Sequence, residues 1–220
     1  MFALDKKHYF EFGKIVTEDL YRVRGWRQCA LDSVIDIGAN VGIFSLFMRM
    51  IQPTARIIAV EPAREAYPYL DVIGDAFSIE IERAAIGNGE PLYFRKRTMM
   101  LNGMFVKEQP DGESYVVDSI SLPGIFSKYN LVRSKGYLVK LDCEGGEHSL
   151  IGDKESEDIL AEANQVSMEV HFRAKATPFE WWPDWRTIDE WVRSVFGYHH
   201  IDYYTSNKRR GFGHYCIVRK

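Results

Sequence analysis

Residues 34–42 combine an acid with glycines in a spacing that could bind a ligand. They read VIDIGANVG, an apolar run that leads through Asp36 into Gly38 and Gly42. Such a run predicts a buried strand that turns tightly into a helix, which is where open α/β sheets bind their ligands. Gly38 would let the backbone approach a ligand that a Cβ atom would push away, and Gly42 would let the helix pack close to the strand. The charge of Asp36 suits a ligand ammonium better than a diphosphate.

A second acid, Glu61, directly follows the apolar run of residues 56–60. A carboxylate at the end of the neighbouring strand can accept hydrogen bonds from both hydroxyls of a ribose. A dinucleotide site would read G-x-G-x-x-G, whereas this turn reads D-x-G-x-x-x-G and lacks the middle glycine. A ligand that carries both a ribose and an amino acid is S-adenosylmethionine. The alternatives are a nicotinamide site and an ordinary tight turn with a surface acid after it.

A third group of charged residues lies within residues 140–148, which read KLDCEGGEH. Lys140 falls in an expected strand that should be buried on both faces, so its ammonium needs a partner. Asp142 and Glu144 come at the carboxyl end of that strand and should face the same crevice as Asp36. Several carboxylates in one cleft repel one another unless a cation, a proton or a ligand ammonium offsets them.

Three segments resemble the motifs of a known family. VIDIGANVGIFSL (residues 34–46), AVEP (59–62) and VKLDCEGGEHSLI (139–151) are similar to those of FkbM-type S-adenosylmethionine-dependent methyltransferases. The resemblance implies a class I Rossmann-like fold and transfer of a methyl group, usually to an oxygen. It implies that the donor is bound at these positions: Asp36, Gly38, Asn40, Gly42, Glu61 and Ala85. It also puts Asp142 beside the methionine part of the donor and the reacting centre.

Methylation of an alcohol needs a base or a metal, because a protonated hydroxyl is a poor nucleophile. The candidate bases are Asp142, Glu144, Glu169 and His171, and the last two share one side of an expected strand by their i, i+2 spacing. His171 is the preferred base because histidine ordinarily titrates near neutrality. The expected catalytic residues are therefore His171, Glu144 and Asp142, against the alternative that His171 is only a hydrogen-bonded strand-end residue. A divalent metal is not favoured; if one is present, Asp142, Glu144 and Glu169 would be its ligands.

Apolar runs and helical patterns alternate along the chain, which predicts an α/β fold with a parallel sheet covered on both faces. Together with the resemblance, this predicts a class I methyltransferase three-layer sandwich whose mostly parallel seven-stranded sheet ends in an antiparallel last strand. Expected strands include residues 33–37, 56–60, 77–81, 137–141, 165–170, 199–204 and 213–218, and expected helices begin at Thr17 and cover 43–51, 62–73, 145–160 and 187–196 (capped by Thr187). Between residues 84 and 118, Asn88-Gly89 and Asn102-Gly103 predict hairpins.

The chain is expected to form a single methyltransferase domain over residues 1–220. It is divided into an N-terminal helical extension (1–32), a donor-binding core (33–171), an aromatic-rich loop over the acceptor side (172–186) and a C-terminal helix with a closing strand pair (187–220). Trp181, Trp182 and Trp185 of the loop could cover the acceptor or anchor the loop to its own domain, and Trp191 is expected in the core. The basic turn at residues 208–210 could hold a phosphate but is expected to be solvated.

The composition of the chain argues against some classes of binding partner. The 220 residues carry a net charge of −3 and no extended basic face, which argues against binding of nucleic acid. No apolar run approaches the roughly 20 residues of a membrane span, and the N-terminus lacks the pattern of a signal peptide. Cys29, Cys143 and Cys216 fit neither a disulfide framework nor a zinc site, so we expect a reduced, cytoplasmic protein with Cys143 as a packing residue.

The expected function is that of an S-adenosylmethionine-dependent O-methyltransferase whose acceptor is a small, sugar-like or natural-product hydroxyl compound. An N-methyltransferase that acts on a macromolecule is one alternative, although no [DNS]-P-P-[YF] segment is present. A module that binds S-adenosylmethionine without catalysis is another.

Overall fold

The computed structural model describes residues 6–25, 30–96, 103–106, 114–173, 182–197, 201–207 and 211–219. The strands are β1 (Ser33–Ile37), β2 (Arg56–Val60), β3 (Glu80–Glu82), β4 (Ala85–Ile86), β5 (Leu92–Lys96), β6 (Gly103–Val106), β7 (Ser114–Val117), β8 (Ser119–Ile120), β9 (Tyr137–Leu141), β10 (Gln165–His171), β11 (Ile201–Asn207) and β12 (Phe212–Val218). The α-helices are α1 (Lys6–Phe12), α2 (Ile43–Ile51), α3 (Tyr67–Phe77), α4 (Leu122–Lys128), α5 (Lys154–Glu162) and α6 (Trp185–Phe196).

A seven-stranded sheet in the order β11-β12-β10-β9-β1-β2-β3 organises the molecule. The strands are parallel except β12, which runs antiparallel to both β10 and β11. The α/β fold, the seven strands and the antiparallel last strand are confirmed. From β1 the chain builds outward through β2 and β3, and it later returns to pair β9 with the other edge of β1. The carboxyl ends of β1 and β9 therefore flank the switch point where such sheets bind ligands.

Both faces of the sheet are covered by apolar side chains. Ile35 and Ile37 of β1 pack into a cluster to which α4, α5 and α6 contribute. Val34 points to the other face and joins a cluster with residues of α2 and α3, including Phe44 and Leu70. Because both of its faces are buried, β1 is apolar on both sides, and Asp36 is the one charged residue in it. The sandwich of helices, sheet and helices has the three layers that the sequence predicts.

Five strands lie outside the main sheet, between residues 85 and 120. β4 pairs in parallel with β8, and β5 pairs antiparallel with both β6 and β7. Asn88-Gly89 therefore does not form the expected hairpin, because β4 pairs with β8 rather than with β5. β5 and β6 do form an antiparallel pair, and Asn102 in their connection lies outside the described residues.

Several expected boundaries were wrong for local reasons. Thr17 ends a π-helical turn, Gly13–Thr17, rather than starting a helix. The single helix expected over residues 145–160 is a 3-10 helix, Gly146–Leu150, followed by α5, because Gly152 between them has φ +80°. Phe77 belongs to α3 and not to a strand, and the cap of α6 is Asp184, which accepts a hydrogen bond from the backbone N–H of Thr187.

Two remaining expectations concern membrane insertion and cysteines. The longest α-helix in the described ranges is α6 with 12 residues, and none there has the length and apolarity to cross a bilayer. Cys143 and Cys216 are free thiols, and Cys29 lies outside the described residues.

Candidate active site

A pocket of about 350 Å³ opens at the carboxyl ends of β1, β2, β9 and β10. Its polar lining includes Asn40, Glu61, Asp142, Glu144, Glu169 and His214. The structure thus brings the three acidic segments of the sequence to one cavity. The N-terminal segment also lines it, through Leu20 and Tyr21. This contribution was not expected, because the first 30 residues carry no motif.

Asp36 forms a buried ion pair with Lys140. Their charged groups lie 3.1 Å apart, and both side chains are almost fully buried. The other Asp36 oxygen accepts a hydrogen bond from Ser45 Oγ at 2.6 Å, and Lys140 also donates to the backbone oxygen of Gly38 at 2.6 Å. Lys140 therefore has the partner that its burial demands. The expectation that Asp36 meets a ligand ammonium is not supported, because Asp36 is absent from the pocket lining and its charge is already balanced.

The two glycines of the turn are required by the protein's own packing. Gly38 has φ +77°, and a Cβ atom there would lie 1.8 Å from the backbone oxygen of Asp142. Gly42 has φ +84°, and a Cβ atom there would lie 2.0 Å from Cδ1 of Ile73 in α3. Gly38 therefore brings β1 close to the end of β9, and Gly42 brings α2 close to α3 rather than to the strand. The packing role of Gly38 stands whether or not a ligand also approaches it.

Glu61 is held by the backbone of the turn that it follows. One oxygen accepts from the N–H of Ala63 and the other from the N–H of Asn40, both at 2.8 Å. Burial raises the pKa of Glu61 to about 7, against the effect of these two hydrogen bonds. Asn40 has φ +50°, and its buried Oδ1 has no hydrogen-bond partner within the described part of the chain. An acceptor left in this way is suited to a ligand hydroxyl or ammonium.

Ala85 does not reach the pocket with its side chain. It is fully buried in β4, where its backbone N–H donates to the oxygen of Asp118. The lining comes instead from its neighbours Ala84 and Ile86. Successive side chains of a strand point to opposite faces, so a shift of one residue moves the contact to the other side.

Asp142 is bonded to a residue that sequence reasoning missed. Its Oδ2 accepts a hydrogen bond from the hydroxyl of Tyr21 at 2.6 Å, across 121 residues of sequence. Burial, together with the charge of Glu169, raises the pKa of Asp142, against the lowering effects of Lys140, His171 and the Tyr21 hydroxyl. No local pattern links Tyr21 to Asp142, so only the folded chain reveals the pair.

His171 is paired with Glu147, a contact that the sequence did not predict. Nδ1 of His171 lies 3.0 Å from Oε1 of Glu147, and its Nε2 lies 3.3 Å from Glu169 and 3.6 Å from Glu144. Burial alone would lower the pKa of His171, but the Glu147 charge and hydrogen bond, with Glu169 and Glu144, raise it well above its ordinary value. This pairing favours the protonated imidazolium form, which argues against the expected role of His171 as a base that titrates near neutrality.

Glu147 is the buried anion that stabilises this cation. It is completely buried, and its two oxygens accept from the backbone N–H groups of His171 at 2.6 Å and Gly145 at 2.9 Å. Burial alone would raise its pKa, but the charge and hydrogen bonds of His171 lower the pKa of Glu147 to about 2. The Cys143 thiol lies 3.3 Å from the same carboxylate, and burial raises the pKa of this thiol well above its usual range. Burial thus favours the protonated thiol, and Cys143 packs against the apolar cluster under α4, α5 and α6 while it also lines the pocket.

Glu169 lies between two histidines. Its carboxylate is 3.3 Å from His171 Nε2 and 2.9 Å from His214 Nε2. Burial would raise the pKa of Glu169, but hydrogen bonds from both histidines lower it well below its usual value. Glu169 is thus an anion with two partners.

The expected metal ligands do not all come together. Ligand atoms of Asp142, Glu169 and His171, and not of Glu144, lie within 4.8 Å of one another. Two oxygens and a nitrogen could bind a divalent cation. Each of these residues nevertheless has a protein partner: Tyr21 for Asp142, His214 for Glu169 and Glu147 for His171. Because the charges are offset within the protein, we assign no ion to this set.

Three tryptophans fall among the described residues, and they pack beside the site or within the core. Trp182 is buried and lies edge-on to His148 and tilted against His171, with ring centroids 5.5 and 5.7 Å apart. Trp185 stacks on Tyr215, and Trp191 is a core residue, as expected. Trp182 thus packs against His171. Trp181 and the basic turn at residues 208–210 lie outside the described residues.

Two known proteins are similar to this chain. The crystal structure of methyltransferase FkbM from Methylobacillus flagellatus KT superposes with a TM-score of 0.54 and 14% identity, over 96% of this chain and 50% of that one, which supports a common fold. Methyltransferase sdnD from Sordaria araneosa is 32% identical over 84 residues, which cover 34% of this chain and 32% of that protein. The chain therefore spans half or less of the length of these relatives.

A family model extends the similarity to most of the chain. The model described as the methyltransferase FkbM domain matches residues 36–200. These residues include the glycine turn, Glu61 and Asp142, which line the pocket, and His171, which lies against Glu144 and Glu169 of its lining. Because the match covers well over half of the sequence, the chain belongs to the FkbM methyltransferase family.

Proposed function

We propose that this chain transfers a methyl group from S-adenosylmethionine to a hydroxyl of a small, uncharged acceptor. Membership of the FkbM family supports methyl transfer. The observation that carries the rest is the meeting of Glu61 and Asp142 in one pocket at the switch point of the sheet. Glu61 can accept hydrogen bonds from the ribose of the donor. Asp142 can accept the proton that the acceptor hydroxyl must lose.

The donor fits residues at the β1 and β2 end of the pocket. Glu61 would accept hydrogen bonds from the ribose hydroxyls when it is ionised. Asn40 lies next to it, joined through its backbone N–H, and offers a buried Oδ1 that has no partner within the described residues. Bound there, S-adenosylmethionine supplies a methyl group on a positively charged sulfur. Its charge is favoured by the carboxylates of Asp142 and Glu169.

Asp142 is the residue we assign as the base. A carboxylate with a raised pKa is a better proton acceptor than an ordinary one, and burial raises the pKa of Asp142. As the acceptor oxygen gains the methyl group, the bond from that methyl group to the donor sulfur would break with its electron pair left on sulfur, so that S-adenosylhomocysteine leaves, and the hydroxyl proton would move to the Asp142 carboxylate. Glu169, which has a lowered pKa, stays ionised, so the environment drives the two carboxylates toward different roles.

His171 acts in this proposal through its charge and not as a base. Its imidazolium lies within 3.6 Å of both Glu144 and Glu169, so it limits the repulsion among the carboxylates and holds their side chains in place. Trp182, packed on its ring, restricts access of water to this pair. Glu144 would then make a polar contact with the acceptor.

The pocket favours a small and uncharged acceptor. A volume of about 350 Å³ is within the range of small-molecule sites. Acidic side chains outnumber lysines in the lining, with Glu11, Glu61, Asp142, Glu144 and Glu169 against Lys14 and Lys140. This excess of negative charge disfavours phosphates and carboxylates. A neutral polyol or phenol meets both conditions.

A screen for release of S-adenosylhomocysteine tests the proposal. Pools of neutral sugars, polyols and phenols would be compared with their phosphorylated counterparts and with amines. We expect turnover with a neutral hydroxyl compound. We also expect the same rate after dialysis against a chelator, because the site's charges are offset within the protein.

Two variants test the assigned base. Asp142→Asn should lower the rate at least about a hundredfold while it leaves the affinity for S-adenosylhomocysteine within a few-fold. Asp158→Asn, on the exposed face of α5, is the matched control and should be fully active. Turnover with amines alone, or donor binding with no turnover, would contradict the proposal.

A further inference from the structure

The segment around Tyr21 is docked against the sheet in a specific way. The Tyr21 side chain is 5% exposed and packs edge-on against Phe44, with ring centroids 5.2 Å apart. The ammonium of Lys140 lies 5.6 Å from the centre of the Tyr21 ring. The ring thus fills a position between α2 and β9, beside the buried ion pair.

Two buried polar side chains of β10 hold the backbone of this segment. Ser167 Oγ donates to the backbone oxygen of Tyr21 at 2.7 Å, and Gln165 Nε2 donates to the same oxygen at 2.9 Å. Both side chains are fully buried. A buried polar group is costly unless it is hydrogen-bonded. The hydrogen bonds from Ser167 and Gln165 therefore indicate that the backbone of Tyr21 is held at a specific position.

At this position the Tyr21 hydroxyl points at the Asp142 carboxylate. The O–H donates to Oδ2 at 2.6 Å, which is the length of a strong hydrogen bond to a charged acceptor. We propose that Tyr21 is a positioning residue of the active site, which fixes the Asp142 side chain through Oδ2 and leaves Oδ1 for the reacting groups. This inference rests on the proposed function, in which Asp142 faces the donor sulfonium and takes the acceptor proton.

The titratable groups around Asp142 come from four strands. They are Asp36 on β1, Lys140 on β9, Glu144 after β9, Glu169 and His171 on β10, and His214 on β12. Tyr21 is the neighbour that contributes a neutral hydroxyl. A donor to the ionised carboxylate lowers the pKa of Asp142, so removal of this hydroxyl must raise it.

The test compares binding of S-adenosylmethionine and S-adenosylhomocysteine by calorimetry as a function of pH. The two molecules share the ribose and the amino acid and differ in the charged sulfur. The ratio of their dissociation constants therefore cancels the titration of Glu61 and reports the ionisation of the carboxylates near the sulfur. No acceptor needs to be known.

The decisive variant is Tyr21→Phe, which keeps the ring on Phe44. We expect the pH midpoint of the affinity ratio to move up by about one unit, because a hydrogen bond to a charged group is lost. Tyr137→Phe is the matched control, since the Tyr137 side chain is also buried but its hydroxyl donates to the oxygen of Ile159 away from the pocket. That variant should keep the wild-type midpoint.

A double variant shows whether Tyr21 acts through Asp142. In Asp142→Asn, the ratio of the two dissociation constants should no longer change with pH around the wild-type midpoint. The double variant Asp142→Asn, Tyr21→Phe should then give the same ratio as Asp142→Asn alone. If Tyr21→Phe unfolds, Ser167→Ala should shift the midpoint in the same direction, because it removes one hydrogen bond to the Tyr21 backbone oxygen and the acceptor of a second one from Gln165. An unshifted midpoint in a folded Tyr21→Phe variant, or an equal effect of Tyr21→Phe with and without Asp142, would overturn the inference while the proposed function stands. A wild-type protein that binds neither molecule would overturn both.

Discussion

Nδ1 of His171 lies 3.0 Å from Oε1 of Glu147, and the backbone N–H of His171 donates to the same oxygen at 2.6 Å. Both side chains are buried. A carboxylate that binds a histidine twice in a site of low polarity stabilises the protonated ring strongly. The pair therefore raises the pKa of His171 and favours its cationic form, which can organise Glu144 and Glu169.

Glu147→Gln should destabilise the fold. The substitution leaves the buried imidazolium without its main counter-ion, and breaking one side of a buried pair costs about 3–5 kcal/mol. Denaturant unfolding measures the change. Glu162→Gln, which breaks the surface pair with Arg133, is the control and should cost less than about 1 kcal/mol.

The contribution of this pair should depend on pH in a defined direction. The lowered pKa of Glu147 means that its stabilisation is present above about pH 4.5 and is lost as the pH falls toward 2. The raised pKa of His171 means that its stabilisation is complete below about pH 6.5 and is lost as the pH rises through the folded-state value. The difference between wild type and Glu147→Gln should thus be largest between about pH 4.5 and 6.5. A difference that grows below pH 4 would show that the pair is not ionised.

The sequence was sufficient for those features that depend on local pattern. Apolar runs that end in glycine or an acid predict β1, β2, β9 and β10, and the acid after β2 predicts Glu61 in the pocket, because neighbours in sequence determine these features. Lys140 was expected to need a partner and Asp36 was expected to carry charge. Asp36 and Lys140 form an ion pair with each other because the register of β1 and β9 places them side by side.

The features that could not be predicted are contacts between distant parts of the chain. Tyr21 reaches Asp142 from 121 residues away, and Glu147 meets His171 across 24 residues. The pKa of His171 depends on that contact, so the sequence alone could not predict that the protonated form of His171 is favoured. A side chain's charge state follows from neighbours that only the fold supplies.

Donor affinity should fall as the pH drops below neutrality. Burial raises the pKa of Glu61 to about 7, and only its ionised form can accept hydrogen bonds from both ribose hydroxyls. The apparent dissociation constant of S-adenosylhomocysteine should therefore rise about tenfold between pH 8 and pH 6, in proportion to the loss of the competent form. Calorimetry at both pH values measures the change.

Glu61→Gln should remove that pH dependence and weaken binding about tenfold or more, through loss of a charged acceptor. Glu80→Gln is the control, because Glu80 pairs with Arg56 on the exposed edge of the sheet. A wild-type affinity that stays constant from pH 6 to 8 would contradict the assignment of Glu61 to the ribose.

The Asp36–Lys140 pair should behave as one structural unit. Lys140→Met leaves a buried carboxylate alone, so we expect a loss of about 3–5 kcal/mol in the free energy of unfolding. The double variant Asp36→Asn, Lys140→Met should lose much less than the sum of the two single variants, with a coupling free energy of about 2 kcal/mol. The same cycle on the surface pair Arg133 and Glu162 is the comparison. Additive effects at Asp36 and Lys140 would mean that each serves a different partner.

Gly38→Ala should destabilise the fold itself, because the added Cβ atom would lie 1.8 Å from the backbone oxygen of Asp142. Gly152→Ala separates this clash from the cost of the backbone conformation, since Gly152 has φ +80° and no atom within 4 Å of a Cβ position. A residue other than glycine at positive φ costs about 1 kcal/mol, and we expect that loss for Gly152→Ala. Gly38→Ala should lose about 3 kcal/mol or more, because β1 and β9 must move apart as well. If thermal or denaturant unfolding gives equal losses for the two variants, the close approach of β1 to Asp142 is not a constraint on the fold.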